Sequence, residues 1–246
     1  AFLILTLNRR QLVIFSGILL LFYWLILWCF GIISGLDPYG LESNLPRWID
    51  LALLGDTHLY YGTGIPFDPE GLLSTLPAII TVLIGYITGI VIQEMENGIE
   101  KVKYLLKAGV TITIIGWIWG FFFPINKQLW TSSYVLFTGG IAIIILAICI
   151  FFIDIKGFKK LAYPFVIFGT NSIFLFTVSG LWVKTILKIK FILNEKTVSG
   201  YTYLYQTVFQ PLAGDLNGSL LFALSNVGMW WLILYWMYRK KIFIKI

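Results

Sequence analysis

Charge, histidine and cysteine are what this sequence has least of. Only 12% of its 246 residues are charged, against 59% hydrophobic and 17% aromatic. One water-soluble domain has too little interior to hide that much apolar surface, so a soluble enzyme or binding module is excluded and lipid must serve as solvent. A single histidine, His58, and two cysteines, Cys29 and Cys149, do not make a ligand constellation, and no metal is expected. The cysteines sit in separate apolar runs that the topology below puts near opposite membrane faces. They read as small buried hydrophobes without a disulfide. No phosphate-binding Walker loop, dinucleotide fingerprint or supportable Ser-His-Asp set is present. A net charge of +6 would direct a soluble protein toward nucleic acid. Here the basic residues lie in short clusters between apolar runs, which is a topology signal, and no nucleic-acid partner is expected.

What the chain does have is long apolar runs. Six are long enough to cross a bilayer, at about 11–33, 72–92, 105–123, 128–153, 162–187 and 217–238. Lipid demands closed backbone hydrogen bonding, so all six are expected as helices. Residues 1–7 are too few to span and run into Asn8-Arg9-Arg10; they read as the tail of a helix that begins earlier. The expected fold is therefore all-α: a polytopic transmembrane bundle of six full spans plus a partial one at the N-terminus, forming a single transmembrane domain over 1–246 with membrane lipid as its partner. Of the eighteen lysines and arginines, Arg9, Arg10, Lys101, Lys103, Lys107, Lys156, Lys159, Lys160, Arg239, Lys240, Lys241 and Lys245 fall on one side. Arg47, Lys127, Lys184, Lys188, Lys190 and Lys196 fall on the other. The richer face is expected to be cytoplasmic, with the C-terminus, in a cytoplasmic (inner) membrane. The two long loops, about 34–71 and 188–216, are then extracytoplasmic. In the first, "NLPRWIDLALLG" reads as a short interfacial helix through Trp48, Ile49, Leu51, Ala52, Leu53 and Leu54.

The most charged entry to any apolar run is "FDPEGLLSTLPAI", residues 67–79. Asp68 fits an N-cap, Pro69 the first helical position, Glu70 the positive end of the helix dipole, and Phe67 with Leu72 a hydrophobic staple. A capping carboxylate at a watery mouth can also accept a proton or hold an amine, so capping and chemistry stay open together. Pro77 is expected to bend this helix and open a cavity. Ser74, Ala78, Thr81, Gly85 and Gly89 form a small-residue stripe, and Gly116 with Gly120 repeats the spacing, which reads as close helix packing. Asn126, Trp130 and Ser133 fall at i, i+4 and i+7, one helix face at the outer border: an interface anchor or a polar lining. Asn171 is about nine residues into its run, roughly 13 Å deep. It either bonds a neighbouring helix or, with Thr170 and Ser172 beside it, faces a cavity, the latter being preferred. His58 in "GDTHLYYGTG" has a ring able to act as a base at neutral pH, although a lone loop histidine is usually not catalytic.

Three stretches, "GDTHLYYGTGIPFDPEGLLSTLPAIITVLIGYITG", "FPINKQLWTSSYVLFTGG" and "YPFVIFGTNSIFLF", resemble the heparan-alpha-glucosaminide N-acetyltransferase family, in particular its bacterial membrane homologues. The resemblance is strongest over about 55–180, where D-P-E-G and N-K-x-L-W-T-S-S-Y are the specific elements. It implies a membrane-embedded acyltransferase that takes acetyl from cytosolic acetyl-CoA, as co-substrate, to the amino group of a glucosamine-type sugar on the far side. The family's amino-terminal helices and its extracytoplasmic histidine have no counterpart here, and His58 lies in a different loop. The chain thus reads as the C-terminal portion of a larger acyltransferase. On this reading Asp68 and Glu70 are the catalytic pair, and His58, Asn126, Trp130, Ser133 and Asn171 the substrate-binding set. A sugar or lipid-linked-sugar carrier without covalent chemistry, and a non-catalytic membrane subunit, remain the alternatives, and a homo-oligomer stays open.

Overall fold

The computed structural model describes residues 2–193 and 195–244. Lys245, counted above among the basic residues of one face, lies outside the described residues. The chain forms two compact units, Ala1–Gly157 and Phe158–Ile246.

The first unit contains α1 (Phe2–Thr6), α2 (Arg9–Ser34), α3 (Leu45–Leu54), α4 (Thr75–Glu94), α5 (Gly98–Trp119) and α6 (Ser132–Cys149). A π-helical stretch, Ile150–Ile155, follows α6. Local sequence sets most of these boundaries. Asn8 caps α2 by accepting the Gln11 N–H while the Gln11 side chain accepts the Asn8 N–H, and Asn97 caps α5 through Ile99 and Glu100. Such caps satisfy amides that a helix start leaves without partners. Asn44 and Pro46 start α3, the expected short helix of the outer loop.

The spans pack through three apolar clusters. Leu12, Leu20, Ile80, Leu83 and Val135 join α2, α4 and α6. Val91, Val102, Leu105, Ile143 and Ala147 join α4, α5 and α6. Tyr23, Leu27 and Phe123 join the C-terminal half of α2 to the turn after α5. The α5–α6 contact is the closest because glycines face each other. A Cβ at Gly109 would stand 2.9 Å from the Gly140 carbonyl oxygen, and one at Gly140 2.7 Å from that of Gly109. Backbones meet where side chains would otherwise hold them apart. Gly116 also presses on α6, as the small-residue spacing predicts, whereas Gly85 and Gly89 face open space.

In the second unit, α7 (Lys159–Thr170) and α8 (Ser172–Lys188) are followed by a short antiparallel hairpin, β1 (Lys190–Leu193) with β2 (Lys196–Ser199). Next come α9 (Gly200–Leu204), a π-helical turn at Tyr205–Phe209, and α10 (Gln210–Arg239). The second long loop is therefore not plain loop. Gly214, at φ 76°, interrupts α10 near the expected start of the last span. Ile167, Leu234 and Met237 make this unit's core.

Five helices are long and apolar enough to cross a membrane, and the α7–α8 pair makes a sixth if its two limbs are one span. The all-α polytopic bundle is thus observed. In each of the five, only 17–28% of the most apolar window is buried within the chain, so the apolar surface faces outward, as lipid requires. Cys29 and Cys149 are free and face outward too, rather than packing inside the bundle.

The fifth expected span, 162–187, is not one straight helix: α7 and α8 meet at 67°. Pro77 produces no bend. It sits in the first turn of α4, where its missing N–H breaks no helical bond, and the Leu73 carbonyl accepts from the Leu76 N–H at 3.1 Å.

Candidate functional site

The turn before α4 is built differently from the helix start that its sequence predicts. Asp68 does not cap α4. Its Oδ1 accepts the Glu70 N–H at 2.9 Å and its carbonyl accepts the Gly71 N–H at 3.1 Å, closing a local turn. Regular helix begins only at Thr75. Between them, Ser74 Oγ donates to the carbonyls of Gly71 and Pro69, and Thr75 Oγ1 also donates to Gly71. Phe67 is buried while Leu72 is half exposed, so the expected staple is not made. Asx and hydroxyl bonding outcompetes helix here, and it leaves the Glu70 carboxylate without a partner among the described residues.

The amide that Asp68 does not reach is taken by Asp50, whose Oδ1 accepts the Leu72 N–H at 3.0 Å. Asp50 is the acidic residue on the buried side of α3 and is fully buried. Burial, and next to it the charge of Asp68, push its carboxyl above the ordinary 3.8, while the Leu72 N–H pulls the other way. Sequence reading passed over Asp50. Its one signal was an acid set among Ile49, Leu51 and Ala52 on an otherwise apolar helix.

The second wall of the site is the turn between α5 and α6. Asn126 Oδ1 accepts the N–H groups of Gln128 and Leu129. Thr131 caps α6: its Oγ1 accepts from Tyr134 and Asn126 and donates to the Pro124 carbonyl at 2.8 Å. Ser133 is buried, and its Oγ donates to the Phe123 carbonyl at 2.6 Å. From α2, Tyr23 Oη donates to the Leu129 carbonyl at 2.6 Å; Ser132 Oγ donates to the Leu20 carbonyl at 2.7 Å. These bonds fix Trp130 at φ 52°, a left-handed conformation that disfavours a bulky residue by roughly 1–2 kcal/mol. Its indole N–H donates to Thr81 Oγ1 on α4 at 3.1 Å. The one-face helical arrangement of Asn126, Trp130 and Ser133 is therefore not found. Asn126 and Trp130 precede α6, because the Thr131 cap starts the helix after them.

The two walls enclose a cavity of about 620 Å³ lined by Tyr60, Asp68, Glu70, Lys127, Gln128 and Trp130. A smaller one of about 250 Å³ also touches Glu70 and Trp130 and reaches Ser74, Thr75 and Ala78. Tyr60 is held beside the turn because its carbonyl accepts the Phe67 N–H at 3.0 Å. Two carboxylates, an ammonium, an amide and two aromatic faces thus converge on one space. That set suits a small polar ligand bearing both hydroxyls and an amine. A third cavity, about 460 Å³ and almost wholly apolar, lies among α2, α4, α5 and α6, with Arg9 at its border and Leu20 and Trp119 farther along. Arg9 is paired with Glu94 at 3.1 Å.

Of the sequence-predicted residues, Asp68, Glu70 and Trp130 come together. Asn126 and Ser133 are spent on the turn that holds Trp130. His58 is exposed and does not line the cavity; its Nδ1 lies 2.9 Å from the Leu54 carbonyl oxygen. Asn171, in the second unit, lines none of these cavities. It stands at the α7–α8 break, its Nδ2 donating to the Ile242 carbonyl at 3.0 Å and its Oδ1 accepting the Ile244 N–H at 2.9 Å. A buried amide satisfies its polar atoms with whatever backbone is free, and the segment after α10 supplies it. Tyr60, Lys127 and Gln128 were not foreseen. Among the described residues no group of acidic, histidine and cysteine side chains is placed to hold a metal.

No protein-family model matches the chain. Among curated proteins, it is 28% identical over 218 residues to the heparan-alpha-glucosaminide N-acetyltransferase of Mus musculus, covering 81% of this chain and 30% of the mouse protein. It is likewise 28% identical over 236 residues to that of Homo sapiens, covering 87% of this chain and 32% of the human one. The chain spans about a third of the length of these relatives. By sequence, the chain is a distant relative of the heparan-alpha-glucosaminide N-acetyltransferases.

Proposed function

We propose that the chain carries the acceptor site of a membrane-embedded acetyltransferase, in which acetyl from acetyl-CoA passes to the amine of a glucosamine-type sugar on the extracytoplasmic side. The observation that carries this reading is the 620 Å³ cavity, where the unpartnered Glu70 carboxylate and Asp68 lie with Trp130, Tyr60, Lys127 and Gln128. A sugar ammonium is held by the carboxylates, the pyranose face lies on an aromatic ring, and Lys127 and Gln128 bond hydroxyl groups.

The chemistry asks little beyond alignment and one proton. The free amine attacks the thioester carbonyl, the C–N bond forms, the C–S bond breaks, and coenzyme A leaves as its thiolate. Glu70 is the group for the amine proton, because its carboxylate is free, whereas Asp68 already spends one oxygen on the Glu70 amide. The apolar cavity with Arg9 at its border supports a donor approach from the face rich in lysine and arginine. The carrier alternative leaned on a broken helix with a polar midplane residue. The break is found at α7–α8, but the Asn171 amide there bonds backbone of the segment after α10, which leaves the polar residue a packing role.

Acetyl transfer tests the reading, with membranes carrying the protein, acetyl-CoA and glucosamine. Glu70→Gln is expected to lower turnover at least about a hundredfold, as loss of a general base does. Asp68→Asn keeps the turn-forming oxygen and loses less. Unchanged turnover in both would leave turn formation as the only work of these residues, and acetyl-CoA left unconsumed by the wild-type protein would remove the enzyme reading.

A further inference from the structure

Asp50 is a buried acid that the proposed chemistry does not use. It lines none of the three cavities described above, yet it holds the middle of the turn that carries Asp68 and Glu70. We propose that Asp50 is the positioning residue of the acceptor site and does this as a neutral carboxylic acid: its Oδ1 seats the Leu72 amide while its buried Oδ2 keeps a proton, and loss of that proton unseats the turn.

Oδ2 is buried and has no hydrogen-bond partner among the described residues. A bare negative charge in that position is far more costly than a neutral hydroxyl. Gly71 packs so closely that a Cβ there would collide with Oδ2, so the carboxyl has no room to turn toward water without moving the turn. None of the charged or titratable groups around it supplies a counter-charge. Asp68 has the same sign. Arg47, one turn earlier on α3, directs Nε to the Pro66 carbonyl and a terminal nitrogen to the Glu42 carbonyl. The Tyr23 phenol of α2, within electrostatic reach, gives its hydrogen to the Leu129 carbonyl.

Burial first, and Asp68 second, raise the carboxyl's pKa above 3.8. The folded turn thus keeps a proton over an interval in which an unfolded one has lost it. Its stability is full below about pH 3.8 and declines as pH rises toward the raised value, the slope being negative wherever the native state binds more protons. Each pH unit of that interval is worth about tenfold in the opening equilibrium.

The inference rests on the acceptor-site reading for its consequence but not for its test. Amide exchange of the 69–76 segment, corrected for intrinsic base catalysis, is measured across pH for the chain in nanodiscs. Wild type is expected to lose protection as pH rises. Asp50→Asn, isosteric and always neutral, is expected to stay protected with no pH dependence. Asp50→Ala and Gly71→Ala are expected to exchange fast at every pH. A pH-independent wild type, or an Asp50→Asn variant as open as Asp50→Ala, overturns the proposal. Glucosamine binding is followed in the same samples. Binding that tracks the exchange pattern supports both inferences, whereas the exchange pattern without any glucosamine binding leaves Asp50 as the turn's anchor and overturns the acceptor reading instead.

Discussion

Trp130 concentrates the physics of the site in one residue. An aromatic side chain at φ 52° persists only where its surroundings over-determine it, and here they do. The Leu129 carbonyl before it is taken by Tyr23, the Thr131 hydroxyl after it ties the turn to Pro124, and its own indole reaches Thr81. The result is a fixed ring that borders, with Glu70, both cavities. Glycine tolerates this backbone angle and alanine does not. Trp130→Gly is therefore expected to be more stable than Trp130→Ala by up to about 1 kcal/mol in thermal unfolding. Equal stabilities, or a more stable alanine variant, would mean that the angle carries no strain. Thr81→Val keeps the shape of the partner and removes the acceptor, so it is expected to cost about 1 kcal/mol. Because the bonds at Leu129 and Thr131 still hold the backbone angle, it should also weaken glucosamine binding less than Trp130→Ala does.

At the scale of elements, spans and breaks have different origins. The spans follow from long apolar runs, so α2 and the short α3 were legible within a few positions, whereas α5 begins at Gly98, ahead of its expected start at 105, because Asn97 caps it there. The breaks come from partners far along the chain. Leu72 gives its amide to a carboxylate 22 residues earlier, so α4 starts later than Asp68 and Pro69 imply. Asn171 bends α7 against α8 through backbone 71 and 73 residues later. Local pattern holds no record of such bonds. It also misled about Pro77, whose effect depends on whether it lies in the first turn or the interior. In the site, the D-P-E-G and Trp130 contributions were legible as charge and aromaticity at a water border. Asp50 was not, because a buried acid in a short amphipathic helix looks like its polar face. The Asn171 clasp carries its own expectation. Asn171→Ala leaves the Ile244 N–H and the Ile242 carbonyl without their partner and should cost about 1–3 kcal/mol. Amide exchange at Ile244 is expected to quicken by one to two powers of ten, as that energy implies. A cavity-facing role would instead leave Ile244 exchange untouched.

For the whole molecule, donor and acceptor chemistry have meaning only relative to a membrane, and the lysines and arginines carry that information. The proposed topology puts the clusters at Arg9-Arg10, Lys101–Lys107, Lys156–Lys160 and Arg239–Lys241 on the face that retains positive charge. The cavity with Asp68, Glu70 and Trp130 belongs to the loop that this assignment puts on the other face. Single cysteines in a Cys29→Ser, Cys149→Ser background test it with a membrane-impermeant thiol reagent, since the two native thiols sit on the outward surfaces of α2 and α6. A cysteine at Thr57, exposed beside His58, is expected to react in intact cells, whereas one at Lys159 should react only after permeabilisation. Labelling of both from one side would put the amine site and the basic face in the same compartment. A soluble acetyltransferase could then reach the sugar directly, and the cost of burying an acceptor site at the border of a lipid-facing bundle would have no function to offset it. Labelling from opposite sides leaves the thioester and the amine separated by the apolar interior of α2, α4, α5 and α6, where a helical bundle can exclude water from the acetyl group while it changes hands.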